Sequence, residues 1–76
     1  MASFGAMDLR QLSHLIAVVE HRSFSAAARA LHTVQSNVST HVARLEKELG
    51  AVLVDRHTMQ PTSEGKAVLE RARRIR

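Results

Sequence analysis

Seventy-six residues suffice for one small domain with a modest core. The chain has no cysteine, which excludes a disulfide framework and a thiolate zinc site and fits a reducing, cytoplasmic setting. Its formal net charge of +4 is unevenly placed: five Lys/Arg balance five Asp/Glu through Asp55, and from Arg56 onward six basic residues face two acids.

Residues 1–6 lack the basic start and long apolar centre of a signal peptide and read as a disordered lead-in. No apolar run approaches the roughly 20 residues of a bilayer span, so no membrane is expected as partner. Asp8 suits the start of a first helix over residues 8–21. Leu9, Leu12, Ile16 and Val19 recur there at helical spacing, with Leu15 and Val18 widening the stripe. Ser23 suits the N-cap of a second helix, with Phe24 packing inward. The small residues Ala27 and Ala28 let another helix approach closely.

Residues 32–34 form a short connection. Thr33 is the expected cap of the third helix, because Val34 has no side-chain oxygen. The third helix is predicted over residues 35–49. Val38, Val42, Leu45 and Leu49 fall within a narrow arc at 100° per residue. Ser36, Thr40, Ala43 and Lys47 lie opposite, flanked by Asn37, Ser39 and Arg44. Gly50 supplies a left-handed stop. Val52, Leu53 and Val54 suit a strand, residues 56–60 an exposed loop, and Pro61-Thr62 a return strand or turn. Thr62 or Ser63 can cap a last helix from about residue 64. Its apolar positions, Val68, Leu69, Ala72 and Ile75, reach the chain end without a stop signal, which predicts continuation beyond it.

Two short helices joined by a tight connection, with a polar outer face on the second, are the pattern of a helix-turn-helix that lays its second helix in the major groove of DNA. Such a helix needs small or polar side chains and no acids near its N-terminus. Ser36, Asn37, Ser39 and Thr40 meet that condition, while Glu46 and Glu48 fall late, where the helix leaves the groove. Asn and Gln can pair bidentately with adenine, and Ser or Thr can serve base or phosphate. The starts of the second and third helices, near Ser23–Ser25 and Gln35–Asn37, are candidate phosphate sites. Arg44 is a phosphate clamp or an i,i+4 partner of Glu48. His57 and Thr58 either reach phosphate from the loop or simply face solvent. The five histidines include no i,i+4 pair, so no metal is expected, and no cofactor. Neither Ser25 nor Ser39 has a nucleophile's surroundings, so the chain is not read as an enzyme. With Phe4 and Phe24 as its only aromatics, it does not suit base-stacking capture of single strands.

The stretches MDLRQLSHLIAVVEHRSFSAAARALH, VQSNVSTHVARLEKELG, LVDR and TSEG, in that order and spacing, resemble the N-terminal DNA-binding domain of LysR-type transcriptional regulators. The resemblance covers residues 7–76. It implies a mainly α, winged helix-turn-helix domain over residues 7–63, with a three-helix core and a short two-stranded wing. Residues 64–76 would begin a linker helix that pairs subunits. It implies binding to a pseudo-palindromic promoter site in duplex DNA as a homodimer or tetramer, with a small-molecule effector sensed by a separate domain absent from this chain. Gln35, Ser36, Ser39 and Thr40 match family positions that contact bases or phosphates. Ser23 and Ser25 match the phosphate-contacting start of helix two, and Arg56 the Arg at the base of the wing. The wing, residues 56–62, would lie on the backbone or minor groove. The chain departs from the family pattern at Val34 (usually Ser), Ser36 (often Pro) and Thr40 (commonly Arg), and in a shorter wing carrying Met59 and Gln60. Leu12, Ile16, Val19, Val68, Leu69, Ala72 and Ile75 form the expected dimerisation face. The alternative function is a winged-helix dimerisation module without specific DNA binding.

Overall fold

The computed structural model describes the backbone of residues 9–75 and side chains through residue 73. The expected lead-in, the cap at Asp8 and the side chain of Ile75 lie outside the described residues. Four helices occur among them: α1 (Leu9–His21), α2 (Phe24–Ala30), α3 (Gln35–Leu49) and α4 (Ser63–Ile75). The first three pack against one another around Leu15, Val18, Val38, Val42 and Leu45, all fully buried. No described helix is long and apolar enough to cross a membrane.

The buried side of α1 is rotated from the expected stripe. Leu15, Val18, Leu12 and Ala17 enter the core, whereas Leu9 is 71% exposed and Ile16 and Val19 are half-buried. The helix is apolar around more than half its circumference, so its partners choose the face: α2 and α3 cover the Leu15–Val18 side. His14 is buried with them. Its Nδ1 lies 2.6 Å from the Arg10 carbonyl oxygen, and its ring rests on His41 of α3, centroids 4.3 Å apart.

Ser23 caps α2 as expected, its Oγ accepting from the Ala26 N–H at 3.0 Å. The helix ends in a Schellman turn. The Thr33 N–H donates to the Ala28 carbonyl and the His32 N–H to that of Arg29, with His32 in the left-handed region at φ 58°.

At the start of α3 the expected cap is not the one formed. Val34 occupies the N-cap position in extended conformation, without a side-chain bond, and is 64% exposed. The Thr33 hydroxyl instead accepts from Asn37 Nδ2 at 3.0 Å. A missing cap costs about 1 kcal/mol. Val38, Val42 and Leu45 are each fully buried, at about 1.5–3 kcal/mol apiece, so α3 forms without it. Gly50, at φ 69°, ends α3 as read from the sequence.

The two-stranded wing is not formed among the described residues; one antiparallel bridge, Val54 opposite Pro61, stands in its place. Pro61 has no N–H to extend a ladder. The Leu53 and Val54 N–H groups point instead to the Glu46 carboxylate, at 2.8 and 3.4 Å. Leu53 and Val54 are nonetheless fully buried and anchor the segment. Thr62 then starts α4: its Oγ1 accepts from the Gly65 N–H at 3.0 Å and donates to the Val52 carbonyl at 2.6 Å. A Cβ on Gly65 would overlap the Leu53 carbonyl oxygen, so glycine is what lets α4 dock there.

Burial also revises the expected dimerisation face. Leu12 and Ala72 are only 6% and 1% exposed, taken up by the core of this chain itself. Ile16, Val19, Val68 and Leu69 remain half-buried. Ile16, Val19 and Leu69 line a groove between α1 and α4, with Glu20 and Arg73 at its edge.

Candidate nucleic-acid interface

The outer face of α3 is built as the sequence suggested. Its apolar arc is held by α1 and α2, which turns Gln35, Ser36, Ser39, Thr40, Ala43, Arg44 and Lys47 to the exposed side. The first turn carries no acid. The side chains of Gln35, Ser36, Ser39 and Thr40 make no hydrogen bond among the described residues, so their donors and acceptors are free for an outside partner. Arg44 forms no ion pair with Glu48 there, and its guanidinium is likewise free. Asn37 is placed differently: it is half-buried and gives an amide hydrogen to Thr33, which draws it toward the α2–α3 connection and away from the outer face.

At the start of α2, Ser25 is exposed, with its Oγ 3.2 Å from that of Ser23. The Ser23 oxygen is already engaged as the cap, leaving its hydroxyl hydrogen for Ser25 or a ligand. In the loop, Asp55 Oδ1 accepts from the His57 and Thr58 N–H groups at 2.7 and 3.2 Å. These bonds hold the Asp55 carboxyl below its usual value. The turn leaves His57 and Thr58 exposed, and the Thr58 hydroxyl accepts from the Gln60 N–H at 3.3 Å. Met59 closes the loop in left-handed conformation, φ 60°, with its side chain against the core.

Arg56, which the resemblance places at the base of the wing, makes contacts within the domain: its guanidinium forks onto Glu46, with Nη1 2.8 Å from Oε2 and Nη2 3.0 Å from Oε1. Nη1 also donates to the Val54 carbonyl at 2.8 Å, and the guanidinium carbon lies 5.4 Å from the centre of the Phe24 ring. An arginine so committed has its charge offset and its direction fixed. Glu46 is the residue that sequence reasoning missed. Burial pushes its carboxyl pKa up, but the bonds from Arg56, Leu53 and Val54 and the Arg56 charge outweigh that, leaving it below the ordinary value. The available signal was its place at the border of the apolar arc of α3, one residue past Leu45. No group of three or more His, Cys, Asp or Glu residues able to hold a metal gathers among the described residues.

The helix pair α2–α3 thus presents an exposed, polar outer face. The family model for bacterial regulatory helix-turn-helix proteins of the lysR family matches residues 9–66. The chain belongs to that family. Among LysR relatives it is 44% identical over 70 residues to the SDS degradation transcriptional activation protein of a Pseudomonas species, covering 90% of this chain and 23% of that protein. It is 40% identical over 72 residues to the HTH-type transcriptional regulator BsdA of Bacillus subtilis, covering 91% and 25%. Over 71 residues it is 35% identical to the DNA-binding transcriptional dual regulator OxyR of Escherichia coli, covering 91% and 23%. Its fold matches the crystal structure of full-length CbnR complexed with target DNA, at TM-score 0.84 and 43% identity, over 91% of this chain and 23% of that one. The chain thus spans about a quarter of the length of these LysR relatives.

Proposed function

We propose that this chain is the DNA-reading domain of a LysR-type transcriptional regulator and binds a specific duplex site with α3 in the major groove. The observation that carries the reading is the free, acid-less N-terminal face of α3. A helix enters the groove only where its outer side chains are short, and hydrogen bonds to base edges need donors and acceptors not already spent. Gln35 has the two-pronged amide that suits adenine. Ser36, Ser39 and Thr40 serve base or phosphate, and the Thr40 methyl suits a thymine methyl. Ser25 and Arg44 lie on the flanks, where the phosphate backbone passes. The loop of residues 56–62 reaches the backbone or minor groove through Thr58 and His57.

Two copies would read the two halves of a pseudo-palindromic promoter site, paired through α4. Effector sensing would belong to the remainder of a full-length regulator, in the cytoplasm. The domain itself performs no catalysis in this reading; its output is occupancy of the site.

Selection of bound duplexes from a random pool, followed by affinity measurements over a salt series, tests this. Gln35→Ala and Thr40→Ala are expected to relax base preference at single positions. The Gln35 change should cost about 1–3 kcal/mol of discrimination. Affinity indifferent to sequence at every salt concentration would remove specific readout from the proposal.

A further inference from the structure

We infer that Glu46 is a positioning residue for DNA binding: its carboxylate fixes Arg56 and the loop of residues 55–60 against α3, and Arg56 serves the interface as part of this strut rather than as a phosphate ligand. The inference rests on the DNA-binding reading above.

Three elements meet at the strut. Glu46 comes from the last turns of α3, Arg56 from the loop, and Phe24 from the first residue of α2. Apolar anchors hold the segment to the core through Leu53, Val54 and Met59. The bridge at Val54 and Pro61, the Asp55 N–H to the Gln60 carbonyl at 2.9 Å, the Met59 N–H to the Asp55 carbonyl at 2.7 Å and the Thr62 N–H to the Leu53 carbonyl at 3.0 Å shape the loop within itself. Glu46 adds a directional polar tie from α3, since its Oε2 alone receives Leu53 N, Val54 N and Arg56 Nη1. The Glu46 side chain is 15% exposed, against 41% for Arg56, so the acid is the inner member of the pair.

The strut and simple electrostatics predict opposite signs. A carboxylate near a polyanion repels it, so removing Glu46 should tighten binding if charge alone matters. Removing a strut should weaken it. Likewise, an Arg that meets a phosphate as a point charge can be replaced by Lys, whereas a fork onto a carboxylate cannot.

The test measures affinity of the chain, Glu46→Gln, Arg56→Lys, Arg56→Ala and the double variant Glu46→Gln/Arg56→Ala for the selected duplex over a salt series. Circular dichroism verifies each fold. Glu46→Gln and Arg56→Lys should each weaken specific binding by about tenfold. The salt slope should stay unchanged in Glu46→Gln and Arg56→Ala, and the double variant should bind no worse than the weaker single. Equal or tighter binding by Glu46→Gln would overturn the inference. So would a salt slope lowered by about 0.9 in Arg56→Ala while Arg56→Lys keeps its affinity.

If Glu46→Gln fails to fold, Arg56→Lys, altered at the more exposed member, decides. NMR contacts between the loop and α3 give a readout that needs no DNA: they should be lost in Arg56→Lys, and their retention would overturn the strut. A wild-type chain that binds no duplex, with the loop contacts behaving as expected, would instead sink the DNA-binding reading and the strut's role in it, while leaving the contact itself standing.

Discussion

Glu46 sits at the border of the apolar arc of α3, where a carboxylate is dry enough to be costly and must be satisfied by donors. Leu53, Val54 and Arg56 satisfy it, and the balance leaves its carboxyl pKa below the ordinary 4.5. A carboxyl whose folded value is depressed adds stability that is fully present above its unfolded value and is lost as pH falls through the folded value. The chain should therefore lose part of its stability on acidification below about pH 4.5 through this group. Asp55 acts with the same sign from its own lowered value, but it and the histidines are common to both proteins and cancel in a difference. Urea unfolding of the chain and of Glu46→Gln across pH should show the variant weaker at neutral pH and the two curves converging in acid; parallel curves would refute the assignment. This pair was not legible in the sequence. Ten residues, a glycine stop and a change of direction separate Glu46 from Arg56, and neither spacing nor composition reports a contact across such a turn.

The helices were legible because their signals are local. Val38, Val42, Leu45 and Leu49 mark one face of α3, and Gly50 can end it in a conformation other residues resist. The ends were less so. Thr33 carries the right hydroxyl, but the Schellman turn at Ala28 and His32 consumes the chain through residue 33 and leaves Val34 in the cap position. The wing failed as a pair of strands for a similar reason: β-branched residues favour extended backbone, but Pro61 and the Glu46 carboxylate remove the partners a ladder needs. The cap makes the clearest prediction at this level. Val34 has the extended backbone of an N-cap and a largely exposed side chain, so Val34→Ser adds an acceptor for the free N–H groups of the first turn at little packing cost. It should raise stability by about 1 kcal/mol, read as a rise in midpoint of about 4–8 °C in thermal unfolding. An unchanged midpoint would mean that the Thr33–Asn37 bond already supplies what a cap would.

Taken whole, the domain spans 33 × 22 × 22 Å, close to the 34–36 Å that separate successive half-sites along one face of a duplex. Under the proposed function, one copy would cover one half-site, and reading a second would require a second copy. The charge supports the same view. With Arg56 offset by Glu46, the basic excess falls on α4, where Lys66 and Arg73 are exposed and outnumber Glu64 and Glu70 once Arg71 is counted. The face of α3 proposed to read DNA is short-armed, since Thr40 reaches less far than the arginine common in the family. Fewer contacts per half-site make the joint engagement of two half-sites weigh more. Linking two copies turns the second binding event into an intramolecular one, worth about 10²–10⁴-fold when the tether spans the sites. The absence of native cysteine makes this directly measurable, because a single cysteine appended after residue 76 gives one defined disulfide. The oxidised dimer should bind a two-half-site duplex about 10²–10⁴-fold more tightly than the reduced chain. Both forms should bind a single half-site alike. Equal affinities for the two-half-site duplex, with a tether long enough to reach, would show that one copy already holds all the contacts the site offers.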